Sequence, residues 1–228
     1  MKNVIVISGG SDGLGKAIAR KLTGDASMVV IMSPHKEKLR TTAQELGCAY
    51  EIGDVTAYPS VQRAVRNILK KYKRIDYLIN CAGVWAQGNL EDHSLRDIKK
   101  TIEVNTLGTI YLTKAVIPFM KKRRSGTIVN IISQAGLYAK PNMSVYFASK
   151  WAITGFTKSI QAELAEHNIR VTGVYPGKLN TRLFQKAGIE KNMRNAIDPE
   201  EVAKAVQFIL QFDDTIVVPE FGIKHIHN

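Results

Sequence analysis

Residues 4–15 have the sequence VIVISGGSDGLG, in which an apolar run leads directly into a glycine-rich turn. The run predicts a buried strand, and the helical spacing that follows predicts a helix over residues 14–22. Glycine permits a tight turn and lets backbone amides approach a pyrophosphate at a helix N-terminus, where the helix dipole favours negative charge. The spacing G-x-x-x-G-x-G is a variant of the dinucleotide-binding fingerprint. By itself it also fits an ordinary strand-to-helix turn.

Strand-like and helical segments alternate through the rest of the chain. Strands are predicted over residues 4–8, 28–32, 48–52, 77–80, 127–132, 170–175 and 215–218, and helices over 14–22, 37–46, 60–72, 94–102, 106–120, 144–166 and 199–210. This alternation predicts an α/β fold: a single domain with a Rossmann-like, doubly wound parallel sheet in three layers. Residues 179–198 form the longest connection without a period, and we expect a substrate lid there.

Composition restricts the class of protein. With 228 residues, 45% hydrophobic and 23% charged, the chain is expected to fold as one globular domain. Its apolar runs are too short to span a membrane and no targeting segment is recognised, so a cytoplasmic protein without a membrane partner is expected. Two cysteines, Cys48 and Cys81, cannot build a disulfide framework and lack metal-ligand spacing, so no metal is expected.

The net charge of +12 has three interpretations. Basic residues concentrate within 70–74 and 121–124, and both runs end helical patterns, where cations favour the negative end of the dipole. Attraction of an anionic cofactor or an acidic partner is the alternative. Nucleic-acid binding ranks third, because no aromatic residues interleave with these runs.

The end of the second predicted strand bears on the choice of cofactor. An acidic residue there would bind the ribose 2′-hydroxyl of NAD. This chain has Met32-Ser33-Pro34-His35-Lys36 instead, and Ser33, His35 and Lys36 are candidates for binding a 2′-phosphate. NADP(H) is therefore favoured, with NAD(H) kept as the alternative. An exposed loop in which Ser33 helps to cap the next helix is the simpler interpretation.

Tyr146 and Lys150 stand four residues apart in a predicted helix, so they lie on one face about one turn apart. An ammonium beside a phenol favours the phenolate and lowers its pKa, so that the tyrosine can exchange a proton with a carbonyl oxygen. Such pairs are common on helix surfaces. Ser133, however, ends the preceding strand at the edge where open α/β sheets bind ligands, and its hydroxyl could support the same oxygen.

Taken together, these motifs resemble the short-chain dehydrogenase/reductase family over nearly the whole chain. The matching positions are Ser8, Gly9, Ser11, Asp12, Gly13, Leu14 and Gly15 in the turn; Asp54 and Val55, matching the pair that reads adenine; Asn80, Ala82 and Gly83 in an Asn-Asn-Ala-Gly motif with Cys81 second; Asn105; Ser133, Tyr146 and Lys150; and Pro176, Gly177 and Thr181, matching the stretch that covers the nicotinamide.

The resemblance implies direct hydride transfer between the cofactor and a carbonyl or alcohol, without a metal. It implies that Tyr146 exchanges the proton, Ser133 orients the substrate oxygen, Lys150 binds the nicotinamide ribose and lowers the Tyr146 pKa, and Asn105 connects Lys150 to solvent through water. It also implies a homodimer or homotetramer, formed through the helices near 106–120 and 144–166. Asp12 departs from many NADP-preferring members, which have a basic residue there, and this weakens the NADP prediction.

The substrate is less defined by the sequence. Apolar residues that could line a pocket and its lid favour a ketone or secondary alcohol of medium size; they are Trp85, Leu137, Met143, Leu179, Leu183, Phe184 and Met193. A 3-oxoacyl group on an acidic carrier protein is a specific alternative that the basic surface would favour. A catalytically idle protein that senses NADP(H) is an alternative of another class, and the complete set of four catalytic positions argues against it.

Overall fold

The fold is built on a seven-stranded, entirely parallel sheet with the order β3-β2-β1-β4-β5-β6-β7. The structure is a computed structural model, and it describes residues 2–24 and 27–227. The strands are β1 (Asn3–Ser8), β2 (Ser27–Ser33), β3 (Ala49–Ile52), β4 (Tyr77–Asn80), β5 (Gly126–Ile131), β6 (Ile169–Pro176) and β7 (Glu220–Ile223). Because strand order reverses between β1 and β4, a cleft opens beyond the carboxyl ends of these strands.

Within the described residues, seven α-helices connect the strands. They are α1 (Gly13–Leu22), α2 (Lys36–Leu46), α3 (Tyr58–Tyr72), α4 (Leu95–Ile102), α5 (Gly108–Arg123), α6 (Ser144–Ala165) and α7 (Pro199–Leu210). A π-helical turn, Glu103–Leu107, joins α4 to α5. The predicted Rossmann-like, doubly wound fold is thus confirmed.

The helices form two outer layers because successive strand residues point to opposite faces. On one face, Ile5, Ile7 and Ile31 pack in a core with α1, α2 and α7. On the other, Val4, Val6 and related residues pack with α3, α5 and α6. The three-layer prediction is therefore confirmed, and the site lies where both layers meet the carboxyl edge.

The basic runs lie where the charge pattern predicted, at helix C-termini. Lys70 and Lys71 occupy the last turn of α3, and Lys121, Lys122 and Arg123 that of α5. Two arginines from these regions also hold a buried carboxylate: Arg74 and Arg123 each contact Asp76 at 2.6 Å.

The predicted last strand was wrong. Residues 215–218 are irregular, and β7 is Glu220–Ile223, which pairs with β6 from Gly173 to Pro176. Residues 213–216 are instead held by the buried Arg170, whose guanidinium donates to the carbonyls of Asp213 and Ile216. Because these carbonyls accept hydrogen bonds from the Arg170 side chain near the amino end of β6, the β-branched run does not pair with β6 as a strand.

Candidate active site

The glycine-rich turn after β1 is too tightly packed to admit side chains. A Cβ at Gly15 would meet the Gly9 carbonyl oxygen at 2.4 Å, and a Cβ at Gly9 would meet the Ala82 Cα at 2.9 Å. Gly9 and Gly13 also have positive φ values of 69° and 49°. The turn therefore exposes backbone at the N-terminus of α1, where a pyrophosphate fits.

Ser8 connects this turn to the end of β4. Its hydroxyl accepts hydrogen bonds from the amides of Cys81 and Ala82 at 3.0 and 3.2 Å. On the other side, the Thr181 side chain lies 3.5 Å from the position of a Gly13 Cβ. Three separated motifs of the sequence therefore meet around the start of α1.

Tyr146, Lys150 and Ser133 converge at the carboxyl edge of β5. The Lys150 Nζ lies 5.8 Å from the centre of the Tyr146 ring and donates to the Ile131 carbonyl at 3.3 Å. Both side chains are buried, at 5% and 6% exposure. Burial raises the pKa of Tyr146 to about 12, while its hydrogen bond with Ser133 works in the opposite direction. Burial also lowers the pKa of Lys150 to about 8.

These shifts correct one expectation. Lys150 was expected to lower the pKa of Tyr146, but desolvation dominates here, and the interaction that opposes it comes from Ser133. The tyrosine in this state is a protonated phenol.

Ser133 has a strained backbone, with φ 130° and ψ 157°. Non-glycine residues are rare in this region, and such strain clusters at functional sites. The Ser133 hydroxyl accepts from the Ala135 amide at 3.1 Å, which fixes its direction.

Asn105 lies in the π-helical turn between α4 and α5. Its side chain is 1% exposed. The amide accepts from Val84 N at 2.8 Å and donates to the Val84 carbonyl and the Ser149 hydroxyl, each at 3.0 Å. A Cβ at Gly83 would lie 3.5 Å from its Oδ1 and 4.0 Å from the Lys150 Nζ. Asn105 thus holds the loop after β4 beside Lys150.

Asp12 is surrounded by cations that the sequence did not associate with it. It caps α1 by accepting from Gly13 N at 2.8 Å. Its carboxylate also contacts Lys38 at 2.5 Å, Lys186 at 2.7 Å and Arg182 at 3.0 Å. Although burial opposes ionisation, these contacts hold the pKa of Asp12 far below its usual range. We call Asp12, Lys38, Arg182 and Lys186 the Asp12 cluster; three cations face one carboxylate, so it remains net positive.

The residues predicted to bind the adenosine end of the cofactor differ in burial and in their contacts. Ser33 is 4% exposed, accepts from the Ser11 hydroxyl at 3.2 Å and lies near the start of α2. His35 and Lys36 are exposed. Asp54 follows β3 and accepts from the Thr56 amide and hydroxyl at 2.9 and 2.7 Å. Lys38, rather than Lys36, reaches the turn, because it lies further along the first turn of α2.

Three further positions that were predicted to bind the cofactor also make contacts within the protein. Val55 is buried, and its side chain fills the space beside Gly108. Asn80 is 3% exposed and donates to Thr113 and Asn130 at 2.9 and 2.8 Å, so it joins β4 to β5 and α5. Gly177, after Pro176 at the end of β6, donates its amide to the Ile223 carbonyl at 2.8 Å.

Aromatic side chains cover Tyr146. The Trp85 ring lies 4.4 Å from the Tyr146 ring, and Phe184 packs edge-on against Trp85 at 4.7 Å between centroids. Trp85 follows the β4 motif, whereas Phe184 belongs to the irregular residues 179–198. The candidate site is therefore shielded from water on this side.

Neither cysteine has the lowered pKa of a reactive thiol. Both are free thiols, and burial raises the pKa of Cys81 to about 12 and also raises that of Cys48. Within residues 2–24 and 27–227, no group of three His, Cys, Asp or Glu side chains is placed to hold a metal. In the same part of the chain, no helix combines the length and apolar character that crossing a membrane would need.

The fold and this site define a Rossmann-like α/β protein with a glycine-rich turn and a buried Tyr–Lys–Ser group. The sequence profile described as short chain dehydrogenase matches residues 3–192. The chain therefore belongs to the short-chain dehydrogenase/reductase family, and it is an oxidoreductase acting on CH–OH and C=O groups.

Curated relatives and solved structures agree with this assignment. The chain is 33% identical over 219 residues to carbonyl reductase family member 4 of Xenopus tropicalis, covering 92% of both chains. It is 32% identical over 228 residues to a 3-oxoacyl-(acyl-carrier-protein) reductase of Thermotoga maritima, covering 94% of this chain and 92% of that one. An alcohol dehydrogenase from Thermococcus sibiricus, solved with 5-hydroxy-NADP, is 26% identical with a TM-score of 0.91, covering 100% of this chain and 98% of that one.

Proposed function

We propose that this protein transfers a hydride between NADP(H) and a ketone or secondary alcohol of medium size. The observation that carries the proposal is the buried convergence of Tyr146, Lys150 and Ser133 beside a turn whose exposed amides suit a pyrophosphate. When bound, the nicotinamide supplies or accepts the hydride. The residues of the chain supply the proton, the orientation and the dry surroundings.

In the proposed mechanism, the Tyr146 hydroxyl donates its proton to the carbonyl oxygen during reduction and accepts it back during oxidation. A buried phenol whose pKa is about 12 is protonated near neutral pH, which is the form required to reduce a carbonyl. Ser133 binds the same oxygen, since it already interacts with the Tyr146 hydroxyl. Lys150 binds the cofactor ribose, and Asn105, which lies beside it, links it to solvent through water.

The Asp12 cluster supports a preference for NADP(H). Asp12 alone would repel a 2′-phosphate, but Lys38, Arg182 and Lys186 outweigh its charge. Ser11 lies next to Asp12, and its hydroxyl contacts Ser33. A phosphate dianion at this position would meet a net positive surface with hydroxyl donors. The relative solved with 5-hydroxy-NADP agrees with this preference.

Residues 179–198 are proposed to act as the substrate lid. Arg182 and Lys186 connect this segment to the cofactor turn, while Phe184 connects it to Trp85 above the tyrosine. Its ends are close together, since Leu179 and Ile197 form a parallel bridge. A segment fixed at its base and held by side-chain contacts can open without disturbing the sheet.

A 3-oxoacyl group is the second candidate substrate. The Thermotoga maritima relative is named for that activity, and the net charge of +12 would favour an acidic carrier protein. Comparing a free 3-oxo thioester with its carrier-bound form would test this. Equal efficiency with both would remove the reason for it.

Self-association through α5 and α6 is also proposed. Phe119 on α5 and Trp151 on α6 are 40% and 50% exposed, so each helix presents a large apolar side chain that a second copy of the chain would cover in a homodimer or homotetramer. Light scattering of the purified protein would decide between these states and a monomer.

The decisive experiment for the activity measures reduction of a panel of carbonyl compounds with NADPH and NADH side by side. Tyr146→Phe should abolish turnover while leaving the fold intact, and Tyr50→Phe, which changes an exposed tyrosine of β3, should leave it unchanged. Full activity in Tyr146→Phe would overturn the proposed mechanism.

A further inference from the structure

Lys191 lies at the outer side of the aromatic cover, within electrostatic reach of two further lysines. Lys191 places its Nζ 5.4 Å from the centre of the Trp85 ring and 5.5 Å from that of Phe184. Lys140 and Lys178 are close enough to lower its pKa by repulsion, in addition to the larger effect of its own burial. Like charges at this density destabilise one another unless an anion is present.

The described part of the chain provides no carboxylate in contact with these lysines. In the part of the chain that is described, none of the three ammonium groups lies within 4 Å of a carboxylate oxygen. Lys178 donates to the carbonyls of Asn192 and Arg194, and Lys191 donates to the Gln87 Oε1 at 3.2 Å. These neutral oxygens accept hydrogen bonds from the two ammonium groups but do not neutralise their positive charge.

Trp85 contacts both Lys191 and Tyr146. The Trp85 ring packs against that of Tyr146 at 4.4 Å between centroids, tilted by 47°, and the Lys191 Nζ lies 5.4 Å from the centre of the Trp85 ring. The buried indole N–H of Trp85 has no hydrogen-bond acceptor among the described residues. Phe184 and Lys191 also line a cavity of about 720 Å³ that is formed by residues 180–193, and the exposed Glu190 lines the same cavity.

We propose that Lys191 is a substrate-binding residue, and that the preferred substrate carries a carboxylate separated from its reacting carbonyl by several carbons. This inference rests on the proposed function, because it takes Tyr146 as the group facing the carbonyl. The carboxylate would accept from Lys191, and Lys140 and Lys178 would add long-range attraction. The aliphatic part of the substrate would lie along Trp85 and Phe184.

Cation–π contact alone is the simpler role for Lys191, and the two roles differ in what they predict. A lysine that only packs on Trp85 would contribute equally to neutral and anionic substrates. A lysine that binds a carboxylate would discriminate between compounds of the same shape that differ in charge. It would also lose this discrimination at alkaline pH sooner than an ordinary lysine, because its pKa is lowered.

The kinetic test compares 5-oxohexanoate with 5-oxohexanamide, which has nearly the same shape and no charge. The wild type should reduce the acid about tenfold more efficiently, as expected for one charge-assisted hydrogen bond. Lys191→Met should remove this ratio mainly through KM for the acid, and Lys191→Arg should restore most of it. Lys122→Met, which removes an exposed charge at the end of α5, is the matched control.

A binding measurement tests the inference without requiring catalytic turnover. The chain has two tryptophans, so Trp151→Phe leaves Trp85 as the only one and as a reporter beside Lys191. Titration with 5-oxohexanoate, with and without NADP⁺, should change Trp85 emission, and the added substitution Lys191→Met should suppress that change. Equal titration by acid and amide, or an unchanged response in the Lys191→Met protein, would overturn the inference. Lys191-dependent binding without reduction of any ketone would support this subsite and reject the proposed activity instead.

Discussion

Replacing Ser133 with glycine should give a more stable protein than replacing it with alanine, which reverses the usual order of these residues. Ser133 has φ 130° and ψ 157°, a conformation accessible to glycine at little cost. Alanine keeps the Cβ and therefore the strain. Glycine removes the Cβ and with it the strain.

The magnitude follows from two opposing effects. Strain in this region costs on the order of 1–3 kcal/mol, whereas glycine loses about 0.4–1 kcal/mol because its unfolded chain is freer. Both variants lose the hydroxyl that accepts from Ala135 N at 3.1 Å, so that loss cancels between them. The glycine variant should be about 1 kcal/mol more stable, which corresponds to a Tm about 2–4 °C higher for a chain of this size.

Thermal and urea unfolding of Ser133→Ala and Ser133→Gly would measure the difference directly. Ser159, exposed on α6 in ordinary helical geometry, supplies the control pair, in which glycine should be about 1 kcal/mol less stable than alanine. Both Ser133 variants should also lose about a hundredfold in kcat, since the hydroxyl proposed to bind the substrate oxygen is gone. An alanine variant at least as stable as the glycine variant would refute the assignment of strain to Ser133.

Three other outcomes are expected. The free energy of unfolding of the wild type should rise relative to that of Lys150→Met as pH increases from about 8 to 10.5. In this window the folded protein has released the proton of the buried Lys150, whereas the unfolded chain still binds it. Parallel pH profiles of the two proteins in urea unfolding would contradict this expectation. Lys38→Ala should raise KM for NADPH about tenfold and leave KM for NADH unchanged, since only the former carries a phosphate for the Asp12 cluster. Gly15→Ala should abolish dinucleotide binding in a calorimetric titration, because its Cβ would meet the Gly9 carbonyl oxygen at 2.4 Å.

Periodicity was sufficient to predict most of the fold. The strand-to-helix boundaries near the glycine-rich turn, β4 and α6 all lie within two residues of the predicted ones, because buried strands and amphipathic helices impose regular apolar spacing. The last strand was misplaced because the run Ile216–Val217–Val218 has strong β propensity, yet the pairing with β6 is formed by residues 220–223. The β propensity of a segment depends on its own residues, whereas strand pairing also depends on the neighbouring strand.

The polar part of the site was predicted less completely. Tyr146, Lys150, Ser133 and Asn105 do come together, but the opposing shifts in the pKa of Tyr146 depend on burial that no spacing encodes. The π-helical turn around Asn105 also carries no spacing signal.

The residue type at position 12 was not sufficient to predict how Asp12 affects cofactor preference. A carboxylate in the cofactor turn suggested repulsion of a 2′-phosphate, but two of the three cations that surround it lie 170 or more residues further along the chain. These ion pairs depend on where the fold places residues 179–198, which local sequence spacing does not indicate. Arg182 and Lys186 were therefore missed, although they lie within the predicted lid.

The segment 179–198 was the least periodic part of the sequence, and its side chains contact both halves of the site. Arg182 and Lys186 reach the cofactor turn, while Phe184 and Lys191 reach the aromatic cover of the tyrosine. An irregular segment has no hydrogen-bond ladder that dictates which residues face inward, so each side chain can serve a separate contact. Because one short segment carries both sets of contacts, the proposed opening of residues 179–198 would break contacts to the glycine-rich turn and to the aromatic cover together.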